Sequence, residues 1–367
     1  MKRRLRAIYL MHSIDGFAGS LIGIFVPVYL LTLGYTISQI FLFYIIAYLN
    51  IAILFFLAGY SAGHFGFKKT ILFRFPFLLA YLVMLYFMPT HPTPLWLVAL
   101  ASSFNVALYW FPLHMIFTRA SGHEEMGNNV GKLFALPRLA GIFAPLLGGF
   151  LTISFGFGIL FIFAIILYLI SAIPLFYAEE FKQAIDFSYG KAVQIIKRYP
   201  KYFIAEMCSN STSVIEAVIW PIFIYLSFKN LLSIGALGTL LGIGGVLFTL
   251  LIGRYSDQVN KKVFLRLGAI LMIAVWSMRY FGQNEILFYI LTILAGFFTI
   301  LITVPFASIS YGAAKKDEGG VSEFIIVREL AVNAGRITIF LLGMFFVSNI
   351  KLTFLLSGFA YIYFFFY

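Results

Sequence analysis

One cysteine, Cys208, is all that the 367 residues contain, which excludes an intramolecular disulfide and any cysteine-rich metal cluster. Charge is scarce too: Asp, Glu, Lys and Arg make up 11% of the chain against 62% hydrophobic residues. A chain with so little polar surface cannot hide its apolar side chains from water in a soluble core, so a soluble protein is excluded. No Gly-rich loop followed by Lys and Ser or Thr is present to cradle a nucleotide phosphate, which argues against a built-in ATPase. The acids of the polar breaks, Glu124, Glu125, Asp186, Asp317 and Glu318, form no metal-binding pattern, and neither a cofactor nor a metal is expected. The net charge of +12 has no separate basic domain to sit in, so nucleic acid is not an expected partner.

What is present is a series of apolar stretches long enough to cross a lipid bilayer, whose hydrocarbon core of about 30 Å takes roughly 20 helical residues. Twelve fit, near 7–33, 37–62, 69–89, 94–119, 131–154, 156–178, 201–228, 233–255, 262–281, 285–312, 321–348 and 351–367. The first carries His12 and Asp15 and no small-x-small cleavage site, so it is read as a retained span and not a signal peptide. The last stops at Tyr367 without a polar tail, which leaves a truncated helix or an end at the membrane surface as alternatives. The fold class is therefore an all-helical, multi-pass membrane protein.

With the N-terminus on the cytoplasmic side, the inner segments hold nineteen Lys and Arg residues, among them Lys68, Lys69, Lys261 and Lys262, and the outer segments three, Lys229, Arg279 and Lys351. By the positive-inside rule this sets the orientation and favours an even number of spans in the cytoplasmic membrane. One long polar connection, residues 179–200, separates an N-terminal set of six spans, 1–178, from a C-terminal set, 201–367. Within it, residues 189–198 combine Ala192, Val193, Ile195 and Ile196 with Lys191, Lys197 and Arg198, which suits a surface helix or a solvated linker.

Ionisable groups inside a bilayer are costly and mark cavities or internal pairs. Glu216 is the deepest acid, roughly 22 Å along its helix from Lys201 and 20 Å from Lys229 at about 1.5 Å per residue. Its removal from water suits it to carry a proton, a permanent ion pair being the alternative. Asp15 lies in the first span, Arg138 in the fifth, and Arg328 and Arg336 in the eleventh, where Glu329, Asn333 and Arg336 follow i, i+4, i+7 spacing as one polar stripe. In the fourth span Tyr109, Trp110 and His114 surround Pro112, whose near-register counterpart is Pro305 in the tenth. Broken helices are where transporters place their sites.

Two loops echo one another. Gly59-x3-Gly63-x2-Gly66-x-Lys68-Lys69 follows the second span, and Gly253-x3-Asp257-x3-Lys261-Lys262 follows the eighth; their first glycines are 194 residues apart, as are Pro27 and Pro221. An internal repeat of this size is typical of transporters built from duplicated halves. The Gly-x3-Asp-x2-(Gly/Asn)-x-Lys pattern resembles the signature loop of the major facilitator superfamily, and the resemblance extends over nearly the whole chain. It implies two pseudo-symmetric six-helix halves that rock about a midplane cavity, with Asp257 latching the inner gate. The first loop departs from the pattern, with Gly63 at the acidic position and His64 after it.

The run Gly131-x8-Ala140-x3-Ala144-Pro145-x2-Gly148-Gly149 is similar to the antiporter signature in the fifth span of proton-coupled exporters of the superfamily, with alanine in place of two glycines. The eighth span is also rich in small residues, and in the resembled fold the two spans meet across the boundary between halves. The resemblance thus implies a secondary transporter, not an enzyme, whose partners are a small-molecule substrate, protons or another coupling ion, and the lipid bilayer. Proton-coupled export of a small organic compound is the leading expectation. The alternatives are a facilitator or symporter for a sugar, nucleoside or lipid-like solute, and a non-transport membrane protein such as an embedded lipid-modifying enzyme or a receptor.

Overall fold

The computed structural model describes residues 2–120, 135–180, 182, 185, 187–255, 260–316 and 320–367. Those residues are helical with short connections, and no strand occurs among them. Among the described residues, eight helical stretches are long and apolar enough to cross a membrane. In chain order the helices are α1 (Lys2–Ile22), α2 (Phe25–Thr32), α3 (Ile37–Phe65), α4 (Phe67–Phe87), α5 (Leu95–Ala120), α6 (135–141), α7 (Ala144–Phe176), α8 (Tyr189–Arg198), α9 (Pro200–Val214), α10 (Trp220–Phe228), α11 (Leu231–Tyr255), α12 (Lys261–Phe281), α13 (Glu285–Lys316), α14 (Val321–Met344) and α15 (Leu352–Ile362).

Local chemistry explains the breaks. Thr36 and Gln39 form a reciprocal capping box that starts α3, each side chain taking up a backbone N–H that the first turn leaves open. α3 turns into α4 at Gly66, whose φ of 97° is open to glycine and strained for other residues. Gly156 has φ 83° and ψ 170°, close to the pair at Gly66, and divides α7 within a 42-residue apolar stretch. The expected boundary between the fifth and sixth spans falls at this residue. The span expected at 7–33 matches the apolar stretch Arg6–Thr32, within which turn residues Gly23 and Ile24 separate α1 from α2.

Between α9 and α10 the chain forms a π-helical segment, Ile215–Ile219, that carries Glu216. Pro221 has no N–H for the carbonyl four residues back, and the wider π turn accommodates that missing bond. Arg279, expected in an outer segment, lies in the last turn of α12 and is fully buried. Ile159, Ile162, Ile166, Leu169, Ile170 and Ile173 line one exposed face of α7 at helical spacing.

Helices before residue 178 pack among themselves, α1 on α7, α3 and α4 on α5. Those after 200 do the same: α9 on α14, α11 and α12 on α13, α12 on α15. The two sets meet along α7 with α11 and along α3 with α14. The first contact is close because Gly235 and Gly238 face Pro145: a Cβ on Gly235 would stand 2.5 Å from the Pro145 carbonyl oxygen. In the second, the rings of Tyr44 and Phe340 stack at 5.4 Å, with Phe41 and Tyr48 beside them.

Candidate functional site

A cavity of about 640 Å³ lies where these sets of helices face one another, lined from α1, α3, α6 and α7 on one side and from α9, the π-helical segment and α11 to α15 on the other. Its wall is mostly apolar and aromatic, including Tyr44, Tyr48, Met272, Trp276 and Phe306, with hydroxyl and amide groups of Ser209, Asn210, Thr299 and Thr303. Four ionised side chains reach it: Arg138, Glu206, Glu216 and Arg328.

Glu216 is held by Arg279 through two hydrogen bonds of 2.6 and 3.0 Å. The guanidinium is fixed in turn by Thr292 at 3.1 Å and lies 4.0 and 4.5 Å from the ring centroids of Trp220 and Trp276. A forked, stacked arginine of this kind is the strongest partner a buried carboxylate can have. This pair is contained within the C-terminal helices.

The second acidic cluster crosses to the N-terminal helices. Arg328 donates from Nε to Glu206 at 2.8 Å and from Nη1 to Glu329 at 2.6 Å. Glu206 also accepts from Tyr202 at 2.5 Å and from Asn210 at 3.0 Å, and Asn210 accepts from Arg336 at 3.1 Å. His114, from α5, places Nε2 3.5 Å from Glu329 and Nδ1 2.8 Å from the hydroxyl of Tyr311 on α13. With Tyr311 donating to Nδ1, the remaining imidazole N–H points at Glu329. Trp110 stacks on His114 at 5.3 Å, and Arg336 lies 5.1 Å over the ring of Tyr48 on α3.

Asp15 is elsewhere. It is paired with the buried Arg74, whose guanidinium sits 4.1 Å over Tyr109, and Tyr109 is hydrogen-bonded to His12. The polar stripe of α14 divides as well: Glu329 and Arg336 join the acidic cluster, while the buried Asn333 donates to the Glu329 carbonyl one turn back. Of the expected pathway residues, therefore, Arg138, Glu216 and Arg328 line the cavity. His114, Glu329 and Arg336 stand behind its wall in contact with Arg328, Asn210 or Tyr48, with Trp110 against His114; Asp15, Tyr109 and Asn333 are not part of it.

The loop motifs are placed in part. Asp257 and Gly131 lie outside the described residues, Gly253 falls near the end of α11, and Lys261 and Lys262 open α12. In the first loop Gly63 packs against Ile185, and the acid missing there is supplied from beyond α7: Glu180 accepts from the backbone N–H of Lys68 at 2.9 Å and of Lys69 at 3.2 Å. The carboxylate thus sits on the positive end of α4. Lys68 Nζ donates to the Ala178 carbonyl at 2.8 Å. In the fifth-span motif, Ala140 is exposed beside Gly141, Ala144 and Gly148 pack inward towards α1, and Pro145 and Gly149 face α11.

Sequence reasoning missed Arg279, Tyr202, Asn210, Tyr311 and Glu180 as working partners. The signal for Arg279 was the same charge argument applied to Glu216: an acid that deep needs a partner, and an arginine in the last turn of a span can reach it.

An all-helical chain with a charged cavity enclosed between two facing sets of helices is the architecture of a membrane transporter. The chain belongs to the Major Facilitator Superfamily, whose family model matches residues 8–205. It is similar in structure to the human organic anion transporter MFSD10 (TETRAN), with a TM-score of 0.71, 11% sequence identity, and coverage of 99% of this chain and 98% of that one. The likeness extends over the whole fold. No curated protein matches the sequence.

Proposed function

We propose that the protein is a proton-coupled secondary transporter that moves a small organic compound by alternating access. Its two halves, residues 1–178 and 201–367, each of six spans, rock about the central cavity and are joined by the 179–200 linker. The charge asymmetry of the loops supports an N-terminus in the cytoplasm. The observation that carries the reading is the cavity: about 640 Å³, bounded by both sets of helices, with ionised groups on its wall and apolar surface around them.

The coupling proton is assigned to the cluster of Glu206, Arg328, Glu329 and His114. Two carboxylates share one directly bonded guanidinium there, and His114 reaches in from the other half. A proton added to this cluster changes what holds α5 to α13 and α14, and so changes the balance between conformations. The Glu216–Arg279 pair lies within one half and can stay closed while the halves move. Export is supported by the small-residue contact of α7 with α11 at the antiporter-like motif. Symport is the second reading, favoured by the uncompensated charge of Arg138 on the cavity wall.

The test is movement of solute in proteoliposomes under an imposed pH gradient. The reading expects gradient-driven flux that Glu329→Gln and His114→Phe abolish while exchange of solute at equal pH persists. Flux that ignores the gradient in the unmodified protein would leave a facilitator. Full coupling in both variants would return the proton to Glu216.

A further inference from the structure

We infer that the compound carried in the cavity is an organic anion whose carboxylate, sulfonate or phosphate docks on Arg138; this rests on the transport reading above. Each of the other ionised groups on the wall already has an opposite charge in contact. Glu216 has Arg279. Arg328 has Glu206 and Glu329, and Arg336 closes that cluster through Asn210, so two acids stand with two guanidiniums. Arg138 remains. It lines the cavity, half-buried, and among the described residues no carboxylate, hydrogen-bond acceptor or aromatic ring engages it.

A guanidinium does not shed its proton to escape burial, and its five donors lie in a plane that matches a carboxylate or phosphate in a two-bond fork. An unpaired arginine facing a solute-sized cavity within a bilayer is therefore a binding group awaiting its anion. Gly242 lines the same cavity, and a Cβ there would meet nothing closer than Ile142 at 3.7 Å. The rest of the wall, with Trp276, Met272 and Phe306, suits an apolar or aromatic body. An ammonium solute would meet the same wall with its charge repelled by Arg138.

This substrate class favours the second reading, symport: an anion on Arg138 and a proton on the Glu206–Glu329 cluster attract, so each favours the binding of the other.

The test uses the full chain purified in detergent micelles and three probes of one shape: 2-naphthylacetate, 2-naphthylacetamide and 2-(2-naphthyl)ethylamine, with the sulfonate and phosphate analogues of the first. Binding is read as the rise in unfolding temperature with probe concentration. At least one anion is expected to bind tenfold or more tightly than the amide and the amine. Arg138→Gln is expected to erase that preference and Arg138→Lys to keep part of it. The comparison among probes in the unmodified protein stands even if a variant fails to fold. Equal or tighter binding of the amide or amine, anion binding unchanged in Arg138→Gln, or no binding by any anion of the set would overturn the inference. Micelles hold no gradient, so anion binding with no flux of any kind in vesicles would sink the transport reading alone, and flux without anion preference would sink this one alone.

Discussion

Removing either member of the Glu216–Arg279 pair leaves the other without its partner, and the two losses differ in a way that pH exposes. Breaking a buried pair costs about 3–5 kcal/mol in general. Arg279 is fully buried, whereas the Glu216 side chain keeps 16% of its surface open to the cavity. In Arg279→Met the carboxyl escapes charge burial by taking a proton. The cost of doing so is capped at about 1.4 kcal/mol for each pH unit above the free glutamate value of about 4.3. That is about 4 kcal/mol at pH 7 and about 1 kcal/mol at pH 5. The sign follows from linkage: the folded variant binds a proton that its unfolded chain has released, so its stability falls as pH rises. In Glu216→Gln the stranded group is a guanidinium that stays charged throughout, so the loss is the same at both pH values. Tryptophan emission during thermal unfolding suits the assay, because Trp220 and Trp276 stack on Arg279. The double variant Glu216→Gln/Arg279→Met is expected to recover most of the stability of the unmodified protein. A pH-independent Arg279→Met, or a Glu216→Gln as stable as the unmodified protein, would refute the reasoning.

Gly235→Val is expected to cost about 1–3 kcal/mol by pushing α11 away from Pro145, while Gly358→Ala, whose added carbon in the middle of α15 meets nothing within 4 Å, is expected to add about 0.5–1 kcal/mol and raise the unfolding temperature. Glu180→Ala is expected to remove about 1–2 kcal/mol of support from the start of α4 and to speed amide exchange at Lys68 and Lys69 above all other sites in that helix. In a Cys208→Ala background, cysteines at positions 194 and 261 are expected to react with an impermeant thiol reagent from the cytoplasmic side and those at 91 and 351 from the opposite side; reversed labelling would overturn the orientation.

Helix positions were legible because they depend on local properties of the chain. Apolar stretch length, the glycines at 66 and 156 and the proline at 221 act within a few residues of themselves, and each leaves a mark in the sequence. Membership of the family was legible for the same reason, through the spacing of glycine and lysine in two loops. The site was legible as residue types but not as pairs. Glu216 and Arg279 are 63 residues apart on different helices, and His114 and Tyr311 are 197 apart. Depth along a helix says that a charge needs a partner without saying which neighbour faces it. Arg279 was misplaced because a cation near the end of a span reads as a loop residue when charges are counted by segment. Glu180 shows the converse: the first loop lacks its acid at Gly63, yet the helix end it would serve is met by a carboxylate from another part of the chain.

The central claim is that two rigid halves alternate about one cavity, and distances across the two ends of the molecule test it most directly. Exposed positions 38 and 348 flank the end at which α3 begins and α14 finishes, and exposed positions 64 and 262 flank the other. Spin labels at each pair, in a Cys208→Ala background in lipid nanodiscs, report both separations by pulsed electron resonance. Alternating access gives two populations in opposite phase, one pair close where the other is far, with a change of pH moving the balance between them. Both separations fixed under all conditions, or both widening together, would contradict it.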